Sequence, residues 1–128
     1  GIENGVAKNA VDKTLKVKDA HVESVKKAYD KGIQIALGTD AGTPFNYHNN
    51  TAYEMELLAR LNIPNMDILK MATINSARCV GVEKDYGSIE VGKQADLVCL
   101  NENPLENISN VRKINRVIQS GKIVVDNN

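Results

Sequence analysis

The stretch Gly32-Ile33-Gln34-Ile35-Ala36-Leu37-Gly38-Thr39-Asp40-Ala41-Gly42 is the most informative about the fold. Its first half is a short, apolar run rich in β-branched residues and bounded by glycines, which predicts a buried parallel strand over 33–38. Upstream, Val22, Val25 and Tyr29 recur at helical spacing, so a helix is expected from Val17 to Lys31 and should stop at Gly32. The first sixteen residues, polar and interrupted by Gly1 and Gly5, are read as a loop entering that helix. Helix, glycine, strand is half of an α/β repeat.

Asp40 follows the C-terminal end of the expected strand, with Thr39 before it and Gly42 allowing a tight turn after it. In α/β folds the chemistry gathers at that end of the strands. An aspartate after a strand is equally a turn former or a helix cap, and spacing alone does not separate these roles. Beyond Thr43 and Pro44, the residues Asn46, Tyr47, His48, Asn49 and Asn50 make a polar loop, the kind of segment on which functional side chains are often carried. His48 is therefore open to a substrate contact as well as to a structural role, whereas His21 falls on the surface of the first helix.

Downstream, Met55, Leu58 and Ala59 with Leu57 and Leu61 predict a helix over 51–61, and Pro64 separates it from a second. Leu69, Ala72, Ser76 and Val80 share one face of that second helix, which starts near Met66 and ends at Gly81. From Tyr86 onward, Gly87, Gly92, Pro104 and Gly121 punctuate short runs at Leu97 to Leu100, Val111 to Gln119 and Lys122 to Val125. Gln119-Ser120-Gly121-Lys122 is a hairpin turn between the last two. A small β unit thus follows an α/β unit.

Composition narrows the function classes. The 128 residues carry 16 basic and 16 acidic side chains, so no polyanion partner is implied. Lys26, Lys27, Lys31, Arg112, Lys113 and Arg116 are spread among acids as solvated faces. No apolar run approaches the ~18 residues that span a membrane. With two histidines in the whole chain, a histidine cage for a metal cannot be built from it alone. Cys79 and Cys99 fall in segments that read as buried and lack a short-range partner, which suggests free thiols in a reducing, cytoplasmic compartment. There is no Walker loop, dinucleotide fingerprint or Gly-x-Ser-x-Gly elbow. Gly1-Ile2-Glu3-Asn4-Gly5 has neither a start methionine nor the regions of a signal peptide, and the chain is expected to begin inside a longer protein.

Three segments carry a resemblance. Residues Gly32 to Pro44 resemble the eighth strand and loop of metal-dependent amidohydrolases, in the branch of imidazolonepropionase-like and prolidase-like (Xaa-Pro dipeptidase-like) enzymes. Ala72-Thr73-Ile74-Asn75-Ser76-Ala77-Arg78 resembles that family's Ala-Thr-x-Asn-x-Ala helix. Gly87-Ser88-Ile89-Glu90-Val91-Gly92-Lys93-Gln94-Ala95-Asp96-Leu97-Val98-Cys99-Leu100 is similar to the segment by which those enzymes leave the barrel for a small β-sandwich. The three occur in the family's order.

The resemblance implies an α/β fold: the C-terminal fragment of a TIM-type (β/α)8 barrel over 1–80, then a return segment over 81–128 giving strands to a composite β-sandwich. Such a barrel takes ~250 residues, so only its C-terminal portion is present. The His-x-His of the first strand, the bridging modified lysine or glutamate, and the histidines of the fifth and sixth strands have no counterpart here. Of the family's metal site, only Asp40 matches.

The implied activity is hydrolysis of a carbon–nitrogen bond in a dipeptide, an N-acyl amino acid or a cyclic amide, with metal-activated water as nucleophile. Asp40 would ligate a divalent ion, zinc in one or two copies, and act as general base and then acid. Tyr47 and His48 would border the substrate. The partners implied are a small amide or dipeptide and either the missing N-terminal barrel region or another copy of the chain, with no nucleic acid and no membrane. The isolated chain is expected to be inactive. Two other readings stand beside this one: a truncated, non-catalytic fragment of such an enzyme, and a small α/β binding domain using Asp40.

Overall fold

A computed structural model describes residues 5, 7–43 and 46–127. Helix α1 runs Lys8–Asp30, a 3-10 turn His48–Asn50 leads into α2 at Thr51–Ala59, and α3 covers Asn65–Lys70. A π-helical turn, Met71–Asn75, joins α3 to α4 at Ser76–Cys79. Three strands follow, β1 at Leu97–Leu100, β2 at Ile114–Gln119 and β3 at Lys122–Asp126, with a 3-10 turn Ile108–Arg112 between the first two.

Helix α1 begins at Lys8, well inside the region expected to be a loop. That first stretch contains good helix formers, Asp12 precedes Lys16 at the favourable i,i+4 spacing, and Val11 and Leu15 already fall on the apolar row of Val22 and Val25. Lysines and other polar residues around that pair dilute the pattern, and Leu15 itself is exposed. Residues 1–4 and 6 lie outside the described residues, as do 44 and 45 of the loop after Asp40.

The stretch 33–38, expected to be a buried parallel strand, is neither buried nor a strand: it forms no strand ladder, Ile33, Gln34 and Gly38 are exposed, and 35–37 are half-buried, because no other strand runs beside it among the described residues to cover it. Its backbone partners come from the helices. The Leu37 amide donates to Met71 O at 3.1 Å, and the Asn75 side chain donates to Ile35 O at 3.1 Å.

The core lies beneath this segment. Met55, Leu58, Ile63, Ile68, Met71 and Ile108 are buried together, with Val25, Tyr29, Ile35, Leu37, Leu69 and Val111 packed around them. Burying a side chain of this size contributes roughly 1.5–3 kcal/mol. Ile68 is fully enclosed. Because α1, α2, α3 and the 33–38 segment each lend residues to one cluster, the end of the extended segment is held against a packed base.

The sheet is antiparallel in the order β1-β2-β3. Leu97 pairs with Ile118 and Val98 with Val117, while Gln119 pairs with Lys122 across the expected hairpin turn. Ser120 and Gly121 both have positive φ, 50° and 76°, as the two-residue turn that matches strand twist requires. The run expected from Val111 to Gln119 is divided: its start belongs to the 3-10 turn and Lys113 separates that turn from β2.

Both cysteines are exposed, not buried. Cys79 ends α4 and Cys99 lies in β1, and neither is covered by another element, so an apolar neighbourhood in sequence did not translate into enclosure.

Gly87 brings the 81–96 connection onto the helices. A Cβ there would lie 2.8 Å from Ala77 Cβ and 2.9 Å from Ile74 Cα, so the close approach requires glycine. Lys93 braces the same connection, donating to Glu83 O at 2.7 Å and Ser88 Oγ at 2.6 Å.

Candidate functional site

Asp40 stands where the extended segment ends, in the left-handed region at φ 49°. A non-glycine residue in this conformation costs about 1 kcal/mol and needs a surrounding structure that holds it. The loop supplies part of that hold. The Asn46 side-chain amide donates to Thr39 O, Gly42 N donates to Asn46 O at 2.9 Å, and Asn46 N donates to Thr43 O at 3.0 Å. Thr43 Oγ1 reaches Asp40 O at 3.4 Å. Asn46 thus closes the turn around Asp40 from both sides, while Asp40 itself is exposed.

His48 lies over Gly42. A Cβ on Gly42 would sit 3.3 Å from His48 Nε2, so the glycine admits the imidazole to the same turn that carries Asp40. Tyr47 precedes the 3-10 turn and is 67% exposed. The structure therefore places His48 against the Asp40 turn and leaves Tyr47 free to meet solvent at its rim. His21 is exposed on α1, as expected.

Beside the turn is an open recess of about 290 Å³ lined by Thr39, Asn46, Asn50, Tyr53, Glu54 and Leu57. These residues come from the loop and from one face of α2. Asn50 is also gripped from the far side, where Arg112 Nη2 donates to its Oδ1 at 3.0 Å and Arg112 Nε donates to Glu56 at 2.8 Å. The hydrogen bond from Arg112 holds the Glu56 carboxyl below its ordinary range, against an opposing effect of desolvation. The 3-10 turn after β1 is thereby tied to the loop that carries His48.

The Asp40 carboxylate is a suitable oxygen donor for a divalent cation, and its exposure at the end of the segment leaves it accessible. Among the described residues, no group of three or more His, Cys, Asp and Glu side chains converges as a metal site. Asp40 fits as a single ligand, and further donors are required for the three or four that a catalytic zinc site uses.

Asn46, Asn75 and Ser76 are the residues that reading the sequence left without a role. Asn75 and Ser76 were visible within the Ala-Thr-x-Asn-x-Ala resemblance, but nothing in their spacing says that they reach the 33–38 segment. Asn46 was seen only as a turn former.

Comparison with known proteins places this geometry. The model of the amidohydrolase family matches residues 2–124. A 5-methylthioadenosine/S-adenosylhomocysteine deaminase from Thermoanaerobacter pseudethanolicus is 35% identical over 124 residues, covering 80% of this chain and 28% of that protein. An imidazolonepropionase from Thermoplasma acidophilum is 32% identical over 107 residues, 83% of this chain and 26% of that protein. Among solved structures, a Xaa-Pro dipeptidase with bound methionine in its active site aligns with a TM-score of 0.74 at 36% identity, over 80% of this chain and 25% of that one. The chain spans roughly a quarter of the length of these relatives.

Proposed function

Because the chain belongs to the amidohydrolase family, we propose that it is the C-terminal part of a metal-dependent hydrolase that cleaves carbon–nitrogen bonds. Residues 1–80 complete a TIM-type barrel in this reading, and 81–128 contribute strands to a β-sandwich. The observation that carries it is the position of Asp40: an exposed carboxylate at the end of the extended segment, in a strained backbone conformation, within the match to the family. Deaminase and dipeptidase relatives both act at a carbon–nitrogen bond, which supports the reaction class and leaves the choice among dipeptides, N-acyl amino acids and cyclic amides to the substrate loops.

Asp40 has two duties. Its carboxylate is one oxygen ligand of the divalent ion, zinc in this proposal, which when bound polarises the substrate carbonyl and makes water acidic enough to attack at neutral pH. The same carboxylate takes the proton from the attacking water and delivers it to the departing nitrogen, acting as base and then as acid. Asn46 and Gly42 keep the turn closed so that the carboxylate stays at the end of the segment. His48, packed on Gly42, and Tyr47, at the rim, border the substrate.

The test is the complete zinc-loaded protein assayed on Xaa-Pro dipeptides, N-acyl amino acids and cyclic amides, and on S-adenosylhomocysteine because of the deaminase relative. Asp40→Asn is expected to lower kcat by ~10²–10⁴ while KM changes little. Near-normal turnover by Asp40→Asn at full metal occupancy overturns the assignment.

A further inference from the structure

We infer that Asn75 and Ser76 are positioning residues that set Asp40 through the π turn beneath it, an inference that rests on the role proposed for Asp40. The segment 33–38 carries Asp40 at its end, yet the bonds it makes on this side are not those of a strand. Leu37 N donates to Met71 O at 3.1 Å, Asn75 Nδ2 donates to Ile35 O at 3.1 Å, and Ser76 Oγ lies 3.4 Å from Leu37 O. The same hydroxyl donates to Met71 O at 2.7 Å. One backbone carbonyl, braced by Ser76, and the side chain of Asn75 thus take the place of a neighbouring strand.

The π turn makes this possible. A π turn departs from the regular i+4 bonding of a helix and widens it locally, and such turns are frequent at functional sites. Here the widening spans Met71–Asn75, so the carbonyl that receives Leu37 and the amide that reaches Ile35 are the first and last residues of the turn. Ser76, the next residue, gives its one hydroxyl proton to Met71 O, the carbonyl that also receives Leu37 N, and so braces that carbonyl instead of bonding the segment itself. The helix is therefore shaped to grip alternate residues, Ile35 and Leu37, with Asp40 three residues beyond the second grip.

That spacing matters because Asp40 is in the left-handed region. A strained residue keeps its conformation only when its neighbours over-determine it. Asn46 holds the turn on the downstream side, through Thr39 O and Gly42 N. Asn75, through Ile35 O, and Ser76, through the Met71 carbonyl that receives Leu37 N, hold the upstream side. Groups hydrogen-bonded to a metal ligand change metal affinity or activity by about 10–100-fold when removed; Asn75 and Ser76 act on the segment that carries Asp40, one step further back, which places their effect at the lower end.

The experiment uses the complete protein and zinc itself as the probe, with turnover as a second readout. Asn75→Ala and Ser76→Ala are expected to weaken zinc binding and lower kcat by about tenfold, the lower end for groups behind a metal ligand, with little change in KM, and to speed hydrogen exchange over 35–42. Ser76→Thr, which keeps the hydroxyl, is expected to restore both. Asp96→Ala, in the residue before β1 that caps the β2–β3 turn, serves as a variant that loses stability with zinc affinity and kcat retained. Wild-type zinc affinity and kcat in folded Asn75→Ala and Ser76→Ala overturn the inference. Should Asn75→Ala fail to fold, the Ser76 pair decides. Unchanged zinc affinity and turnover in Asp40→Asn instead sinks the underlying assignment of Asp40, and the positioning role with it.

Discussion

Asp96 Oδ1 accepts the backbone amide of Ser120 at 2.7 Å, tying the residue before β1 to the hairpin turn between β2 and β3. A second bond, Gly121 N to Ala95 O at 3.0 Å, lies beside it. The carboxylate thus satisfies an amide in a turn where both residues have positive φ. Asp96→Ala is expected to lower unfolding stability by about 1–2 kcal/mol, the range for a hydrogen bond to a charged group in a solvated setting. Asp96→Asn is expected to lose less, because its side-chain oxygen still accepts. Urea midpoints of the two variants check this, and the hydrolysis proposed for the complete protein is expected to be retained in both.

Gly87 and Gly92 separate two costs that glycine substitutions usually mix. Both have positive φ, 90° and 94°, but a Cβ at Gly87 meets Ala77 and Ile74 within 3 Å whereas one at Gly92 meets nothing within 4 Å. Gly92→Ala is expected to cost about 1 kcal/mol from backbone conformation alone. Gly87→Ala adds an overpacking cost of about 1–3 kcal/mol. Denaturation of the two variants side by side gives the difference directly, and equal losses would show that the 81–96 connection simply moves away from the helices.

Tyr29 and Asp67 link α1 to α3 through one hydrogen bond, Tyr29 Oη donating to Asp67 Oδ2 at 2.7 Å. That bond is the main cause of a raised pKa for Tyr29 and a lowered pKa for Asp67. A carboxyl held below its ordinary value of 3.8 contributes stability that is present above that pH and is lost as pH falls through its folded pKa. A phenol held above its ordinary value of 10.0 contributes stability that is present below that pH and is lost as pH rises through its folded pKa. Tyr29→Phe is therefore expected to be less stable than wild type by a constant margin between the two, with the margin closing at both extremes. Denaturation midpoints across pH test it, and a margin independent of pH at both ends would exclude the bond as its source.

By itself the 128-residue chain is expected to self-associate. β1 and β3 each have an outer edge without a strand partner among the described residues, and Ile123, Val124 and Val125 in β3 are exposed. Ile33, at the start of the extended segment, is 57% exposed. Open edges with apolar side chains beside them recruit other strands. Sedimentation over a range of concentrations measures this. A monomer with a sharp, concentration-independent unfolding transition is the contrary result.

Much was legible in the sequence because it depends on local chemistry. Pro64 and Gly32 punctuate the helices, the Met55 and Leu58 spacing marks the buried face of α2, and Ser120-Gly121 specifies its turn through allowed φ values alone. Asp40 could be singled out because its position after an apolar run, and the motif around it, are linear features. What the expected start at Val17 left out was α1 from Lys8, where Val11 and Leu15 keep the helical spacing but stand among lysines and polar residues, with Leu15 uncovered in the structure.

The tertiary structure decided what has no linear signature. An apolar, β-branched run at 33–38 determined a segment that leads to Asp40, but which groups its backbone bonds to depends on what packs beside it, and here these are Met71 and Asn75 from a helix some forty residues on. The cysteines show the same limit, since an apolar neighbourhood in sequence does not enclose a side chain unless another element covers it, and both are exposed. Sequence alone therefore determined that a carboxylate would stand at the end of this segment. Only the packed structure decided how it is held, because hydrogen bonds and burial between distant residues form in space, after the chain has brought them together.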